Sequence, residues 1–330
     1  MSCPPILIGW RAASLSRCSD AVSETAIIAI RWALYVDLGL LFGLPLFALY
    51  ALGGAQAARR LPALAGTIAG LALCGLALSV FGFAVQVSTM AGLSPFQFDG
   101  GLLADVLGAT DLGLALKVRL VALAAALCGA MLLGRAPRGS VILCTIAGAA
   151  ALATLAWSGH GAAGEGAIGH VQLAADIVHM LAAGAWLGAI VAFLLLVSAR
   201  SVARDMERVR LATRALHGFA ITGGILVGLI VITGLINGAL LIGLAHIATL
   251  GQSVYGRLLL AKLALFAVML GIAALNRYRL TPALERAIFE GDARRALAHL
   301  RQSLSVEAGL AILILGLVGW LGTLAPPMDG

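Results

Sequence analysis

HVQLAADIVHMLAAGAWLGAIVAFLLLVSA, the run His170–Ala199, decides how this chain must fold. Past its first residue it carries one charged side chain, Asp176, and one further histidine, His179, among Ala, Leu, Ile, Val and Gly. A helix of this length spans the roughly 30 Å hydrocarbon core of a bilayer, which needs about 20 apolar residues. Lipid offers no hydrogen bonds, so the backbone must satisfy itself within a helix. Imidazole and carboxylate are costly in such a segment and call for partners or a role. Just upstream, Trp157-Ser158-Gly159-His160 closes another apolar run, and a glycine-rich connector leads to His170. Three of the six histidines thus fall between Trp157 and Gly188.

The rest of the chain has the same character. Of 330 residues, 61% are hydrophobic and 11% charged, with a mean hydropathy of +1.03. Soluble chains carry about 25% charged residues, so a water-soluble fold is excluded. The 41 glycines suit helices that approach one another closely in lipid. Eight apolar segments are expected, at about Ala26–Leu52, Leu61–Met90, Leu112–Gly134, Gly139–Ser158, His170–Ala199, Thr213–Leu244, Tyr255–Asn276 and Ser303–Leu324. The expected fold is an all-α, polytopic membrane helical bundle. Its divisions are a poorly ordered leader (1–25), a first four-helix half (26–158), a connector (159–169) and a second four-helix half (170–330).

Net charge is +7, but the basic residues cluster in short connectors, which argues for membrane topology and against nucleic-acid binding. Arg59 and Arg60, Arg135 and Arg138, Arg200 to Arg214, and Arg277 to Arg301 occupy alternate connectors, and the others are nearly free of Lys and Arg. Placing the basic connectors in the cytoplasm puts both termini in the periplasm of a bacterial inner membrane. Thr281–Leu300 sets Leu284, Ile288, Leu297 and Leu300 against Glu285, Arg286, Arg294 and Arg295, and is expected to lie on the inner membrane surface. His299 reads there as solvated, and His217 as interfacial.

A faint internal repeat runs through the sequence. Thr110-Asp111-Leu112-Gly113 leads to Arg119, and Ser253-Val254-Tyr255-Gly256 leads to Lys262 at the same offset. Leu41-Phe42-Gly43 and Trp186-Leu187-Gly188 form a weaker pair. Two four-helix halves in parallel orientation would account for both.

The chemistry-bearing groups lie on the arginine-poor side. Asp176 and His179, spaced i,i+3, share one helix face, and His179 sits about 13 Å beyond His170 along the axis. Imidazole suits Cu, Zn, Fe and Ni, and a thioether adds preference for Cu(I). His160, His170, His179 and Asp176 are therefore candidate metal ligands, with Met90, Met180 and His246 as weaker ones. Asp176 also suits the role of acceptor for a ligating histidine. Asp37 with Lys262, and Asp176 with Arg119, are expected charge pairs. Gln86, Thr233 and Asn237 are expected to bond between helices. Five cysteines with no Cys-x-x-Cys pair do not form a disulfide framework, and Cys74, Cys128 and Cys144 read as small packing residues. The sequence contains no P-loop, Gly-x-Ser-x-Gly, His-Glu-x-x-His or Cys-x-x-Cys-His motif, so no enzyme activity is expected.

Asp176-Ile177-Val178-His179 with Ala185-Trp186-Leu187-Gly188, preceded by Ser158-Gly159-His160, resembles the CopD copper-resistance family of bacterial inner-membrane proteins. The likeness continues through Thr233-Gly234-Leu235, Tyr255–Lys262, Leu275-Asn276-Arg277, Leu300–Ser303 with Glu307, and Leu321–Pro327. It is strong from Trp157 to Pro327 and loose over the first four helices. The resemblance implies an eight-helix protein that moves copper from the periplasm to the cytoplasm, beside a soluble periplasmic copper carrier of the CopC type. Some relatives carry that carrier as a fused domain; here the donor is expected to be a separate protein or the free ion. By motif position, His160, Asp176 and His179 are the implied copper site; His170 joins them by placement. One site is expected, because Leu34 stands where the repeat would put a counterpart of His179. Two other readings stay open. One is a b-type haem or quinone-linked electron-transfer protein using His179 and His160 as axial ligands. The other is a copper-binding sensory or scaffold subunit.

Overall fold

The computed structural model describes residues 6–53, 63–158, 166–198, 206–243, 249–290 and 293–325. The helices among them are α1 (Ile6–Leu52), α2 (Leu64–Met90), α3 (Gly100–Ala109), α4 (Asp111–Leu132), α5 (Pro137–Ala153), α6 (Gly166–Leu196), α7 (Met206–Ile242), α8 (Val254–Leu275), α9 (Thr281–Glu290) and α10 (Ala293–Leu321). A 3-10 turn (Thr154–Ser158) follows α5, and a π-helical turn (Asn276–Leu280) joins α8 to α9. Eight helical stretches are long and apolar enough to cross a membrane, so the chain is a multi-pass membrane protein built as an all-α bundle. Two elements depart from expectation. Residues 6–25 continue α1 as helix instead of forming a loose leader, since no Pro or Gly interrupts the sequence between Trp10 and Gly39. The short helix α3 escaped notice, although Asp99 caps it, accepting from the Gly101 and Leu102 amides at 2.8 and 3.2 Å.

The organising helix is α1, which packs on α2, α5, α6 and α10. Its tightest crossing is with α6, where a Cβ added to Gly43 would lie 2.8 Å from Gly188 Cα. On the α5 side, a Cβ on Gly148 would stand 2.8 Å from Phe42 Cα. With no side chain between them the backbones touch, the usual way helices associate where lipid supplies no hydrophobic drive. Around this centre Leu38, Leu41, Phe47, Leu123, Leu152 and Phe193 form a continuous buried core.

The hydroxyl-capped starts of α4 and α8 share one construction. Thr110 Oγ1 accepts from the Gly113 amide at 3.1 Å, and Ser253 Oγ from the Gly256 amide at 3.0 Å. Both glycines lie under the preceding short turn: a Cβ would sit 2.6 Å from Leu107 Cα in one case and 2.9 Å from Leu250 Cα in the other.

The amphipathic stretch at the basic face is also placed differently from expectation. Leu284, Leu297 and Leu300 are buried in the bundle's own core, with Ile288 packed against it. Protein, not lipid, covers the apolar face of α9, because the π turn folds it back against α10 and α7.

Candidate functional site

Helices α6 and α7 run antiparallel and are joined by two polar contacts one turn apart. Asn237 Nδ2 donates to Asp176 Oδ1 at 2.6 Å. One turn further, His179 Nδ1 lies 3.0 Å from Thr233 Oγ1. The single hydroxyl proton of Thr233 is directed back to the Leu229 carbonyl, 2.6 Å away. In the tautomer that fits this, the oxygen accepts from His179 Nδ1–H and Nε2 carries the lone pair that a metal ion would need; the ring also bonds the Ile230 backbone. Thr233 and Asn237 are thus the interhelical bonders expected of them, and both act on the candidate ligands.

His179 opens onto a cavity of about 450 Å³. The space exists because α8 packs on α10 and leaves a gap between itself and α7. Its walls come from α6, α7, α8 and α10 and are apolar except for His179 and Lys262. Asp176 is an electrostatic partner of Lys262, so the described residues bring a carboxylate, an amine and an imidazole together in this helical group.

The expected ligands separate on this frame. Asp176 and His179 are together on α6. His170 is exposed near the start of the same helix. Met180 turns away and packs against the core around α1. Met90 is 73% exposed at the end of α2, a helix that packs on α1, α3 and α4 and not on α6. His160 and His246 lie outside the described residues, as does the His217 side chain. Among the described residues, no three His, Cys, Asp or Glu side chains gather into a metal-binding group.

Neither expected ion pair forms among the described residues. Asp37 is buried against α2, beside Gly75, and its Oδ2 has no hydrogen-bond partner. Lys262 has Asp176, not Asp37, as its electrostatic partner. Arg119 donates from Nε to Thr154 Oγ1 at 2.7 Å instead of pairing with Asp176. Of the cysteines read as packing residues, Cys144 is buried, while Cys74 and Cys128 are exposed on the bundle's outer surface.

A second polar cluster went unread in the sequence. Glu307 of α10, 4% exposed, accepts from Trp186 Nε1 at 3.1 Å and from Asn276 Nδ2 at 2.9 Å. A cavity of about 260 Å³ adjoins it toward the basic face, and Trp186 lines this cavity as well as the larger one. The signal was available: Glu307 is the only charged residue between Ser303 and Leu324, the same oddity that singled out Asp176.

Residues 22–171 match the family model described as copper resistance protein D-like, N-terminal domain. Residues 213–321 match the model for copper resistance protein D. Copper resistance protein D of Pseudomonas syringae pv. tomato is 40% identical over 305 residues, covering 92% of this chain and 97% of that protein. No solved structure matches the chain significantly. With both models placed in order and that identity sustained along nearly the whole length, the chain belongs to the copper resistance protein D family.

Proposed function

We propose that the chain is a bacterial inner-membrane copper permease that captures copper at His179 on the periplasmic side and passes it toward the cytoplasm. The observation that carries this reading is the fixed imidazole. Thr233 holds Nδ1, the matching tautomer makes Nε2 the ligating nitrogen, and the ring stands at a cavity between helices. The kinship with a protein named for copper resistance favours copper among the metals an imidazole accepts. The arginine-rich connectors support a cytoplasmic basic face and periplasmic termini. Asp176 is the acid beside the ligand, His170 stands near the mouth, and His160 and His246 belong to connectors on that same side. The copper arrives as substrate, free or from a periplasmic carrier of the CopC type, and the chain performs no catalytic step. Cellular copper and copper uptake, measured with wild type and His179→Ala, test the reading; copper content unchanged by the protein or by the substitution would refute it.

One observation favours a second reading. The cavity at His179 is apolar and of a size that holds small cofactors, roughly 300–1,000 Å³. A haem or quinone bound there would make the chain an electron-transfer protein. The visible spectrum of the purified protein separates the two, because a Soret band belongs only to haem. Copper binding without flux in vesicles would instead indicate a sensory or scaffold subunit.

A further inference from the structure

The two cavities meet at Trp186. Toward the arginine-poor face, its ring borders the space onto which His179 opens; toward the basic face, it borders the smaller one. Its indole N–H is fixed on Glu307 Oε1. Glu307, the carboxylate among the described residues that line the smaller cavity, is thus joined to the ring itself.

Glu307 is enclosed by neutral donors. Trp186 serves one oxygen and the Asn276 amide the other, and among the described residues no Lys or Arg pairs with it. Arg277 lines the same cavity, but its Nη1 donates to the Ala220 carbonyl at 3.1 Å and its guanidinium lies 5.2 Å from the Tyr278 ring centre. The cavity faces of α6, α7 and α9 bring Phe193, Phe219, Gly223 and Thr281, none of which titrates. An unpaired carboxylate at this depth is costly as an anion; a proton or a passing cation removes the cost.

A second, independent observation lies in Asn276. This residue is 6% exposed, and its Oδ1 is buried with no hydrogen-bond partner. A protonated Glu307 has an O–H to donate, and a half-turn of the Asn276 amide would present Oδ1 to receive it. The amide can therefore serve the carboxyl in both states, donating to the anion and accepting from the acid. Asn276 begins the π-helical turn, a feature that occurs often at functional positions.

We propose that Glu307 is a proton-exchanging carboxyl on the cytoplasmic side of Trp186. It takes a proton from the inner cavity when no cation stands beside it. It releases that proton past the indole toward the His179 cavity when an inward-moving copper ion takes its place, so that the cation replaces the proton at the carboxylate and the two cross in opposite directions. The link to copper rests on the permease reading above; the proton site itself does not.

The test has two arms. Purified, copper-free protein in detergent is titrated with acid while the infrared carboxyl stretching band is followed. Wild type is expected to show a buried carboxyl band that Glu307→Gln removes and Glu307→Asp shifts. A spectrum identical in wild type and Glu307→Gln overturns the proton site. Gln keeps the side-chain length and an acceptor for Trp186, and thermal unfolding of each variant checks that it is folded. In the second arm, copper influx and internal pH are recorded in vesicles containing the protein. Wild type is expected to release protons outward as copper enters, raising internal pH, and Glu307→Gln to reduce proton movement per copper at least tenfold. Copper flux with no proton movement, or equal proton movement in the variant, overturns the coupling. If wild type moves no copper yet shows the Glu307 band, the permease reading fails while the proton site stands.

Discussion

Nδ1 of His179 lies 3.0 Å from Oγ1 of Thr233, and the hydroxyl's own proton is engaged with a backbone carbonyl. One hydroxyl on α7 thus determines which ring nitrogen of α6 is available. Thr233→Val removes that acceptor while keeping the shape of the side chain. It is expected to weaken copper binding by about 10- to 100-fold, the usual cost of losing a ligand's outer partner, whereas His179→Ala abolishes it. Equilibrium copper binding to the purified proteins measures both.

Asn237→Leu strips the amide from Asp176 and leaves a partly buried carboxylate short of a strong, charge-assisted partner. Loss of such a bond costs about 1.5–3 kcal/mol, expected as a lower thermal midpoint. Asn237→Asp, which sets like charges together, is expected to be worse than Leu, and the order of the two midpoints is the check.

The thioethers are expected to be dispensable. Met90 is at the far end of α2, and Met180 packs in the core. Met90→Ala should leave copper uptake within twofold of wild type. Met180→Leu, a nearly volume-conserving change, should cost less than about 1.5 kcal/mol of stability. A tenfold loss of uptake in Met90→Ala would place that sulfur on the copper path after all.

At the α1–α6 crossing, Gly188→Ala forces a methyl into the Gly43 backbone. Overpacking of this kind costs about 1–3 kcal/mol or more, and the yield of folded protein in detergent should fall. Gly271, with open space around its Cα, is the control, and Gly271→Ala should be neutral. Thr110→Ala and Ser253→Ala each remove one helix cap, worth about 1 kcal/mol. Because the two caps have matching geometry, the two midpoint shifts should be similar.

Hydropathy made the eight spans legible, since lipid imposes length and composition on every crossing. It also made Asp176 and His179 legible, because a polar group in an apolar run stands out whatever its neighbours. Partner choice was not legible. Asp37 and Lys262 have opposite charges, yet Lys262 interacts with Asp176 and Asp37 is buried against α2; only helix packing decides that. Glu307 carried the same signal as Asp176 but stood in a span with no histidine, and its significance appears only when Trp186 and Asn276 close around it. The amphipathic pattern of Thr281–Leu300 was read correctly as one apolar face. What covers that face depends on the π turn, which no local propensity announces.

The place of α1 at the centre has a consequence for biosynthesis. It is made before all four of the helices that enclose it, and three of them, α5, α6 and α10, are separated from it by at least two intervening helices. Until they arrive, the glycine face has no protein neighbours. Trp32 Nε1 waits for the Ile312 carbonyl of α10, 3.0 Å away in the finished fold, and Arg31 for that of Gly322. Nascent chains halted before α6 should consequently remain associated with the insertion machinery or be degraded, and release should await the last span.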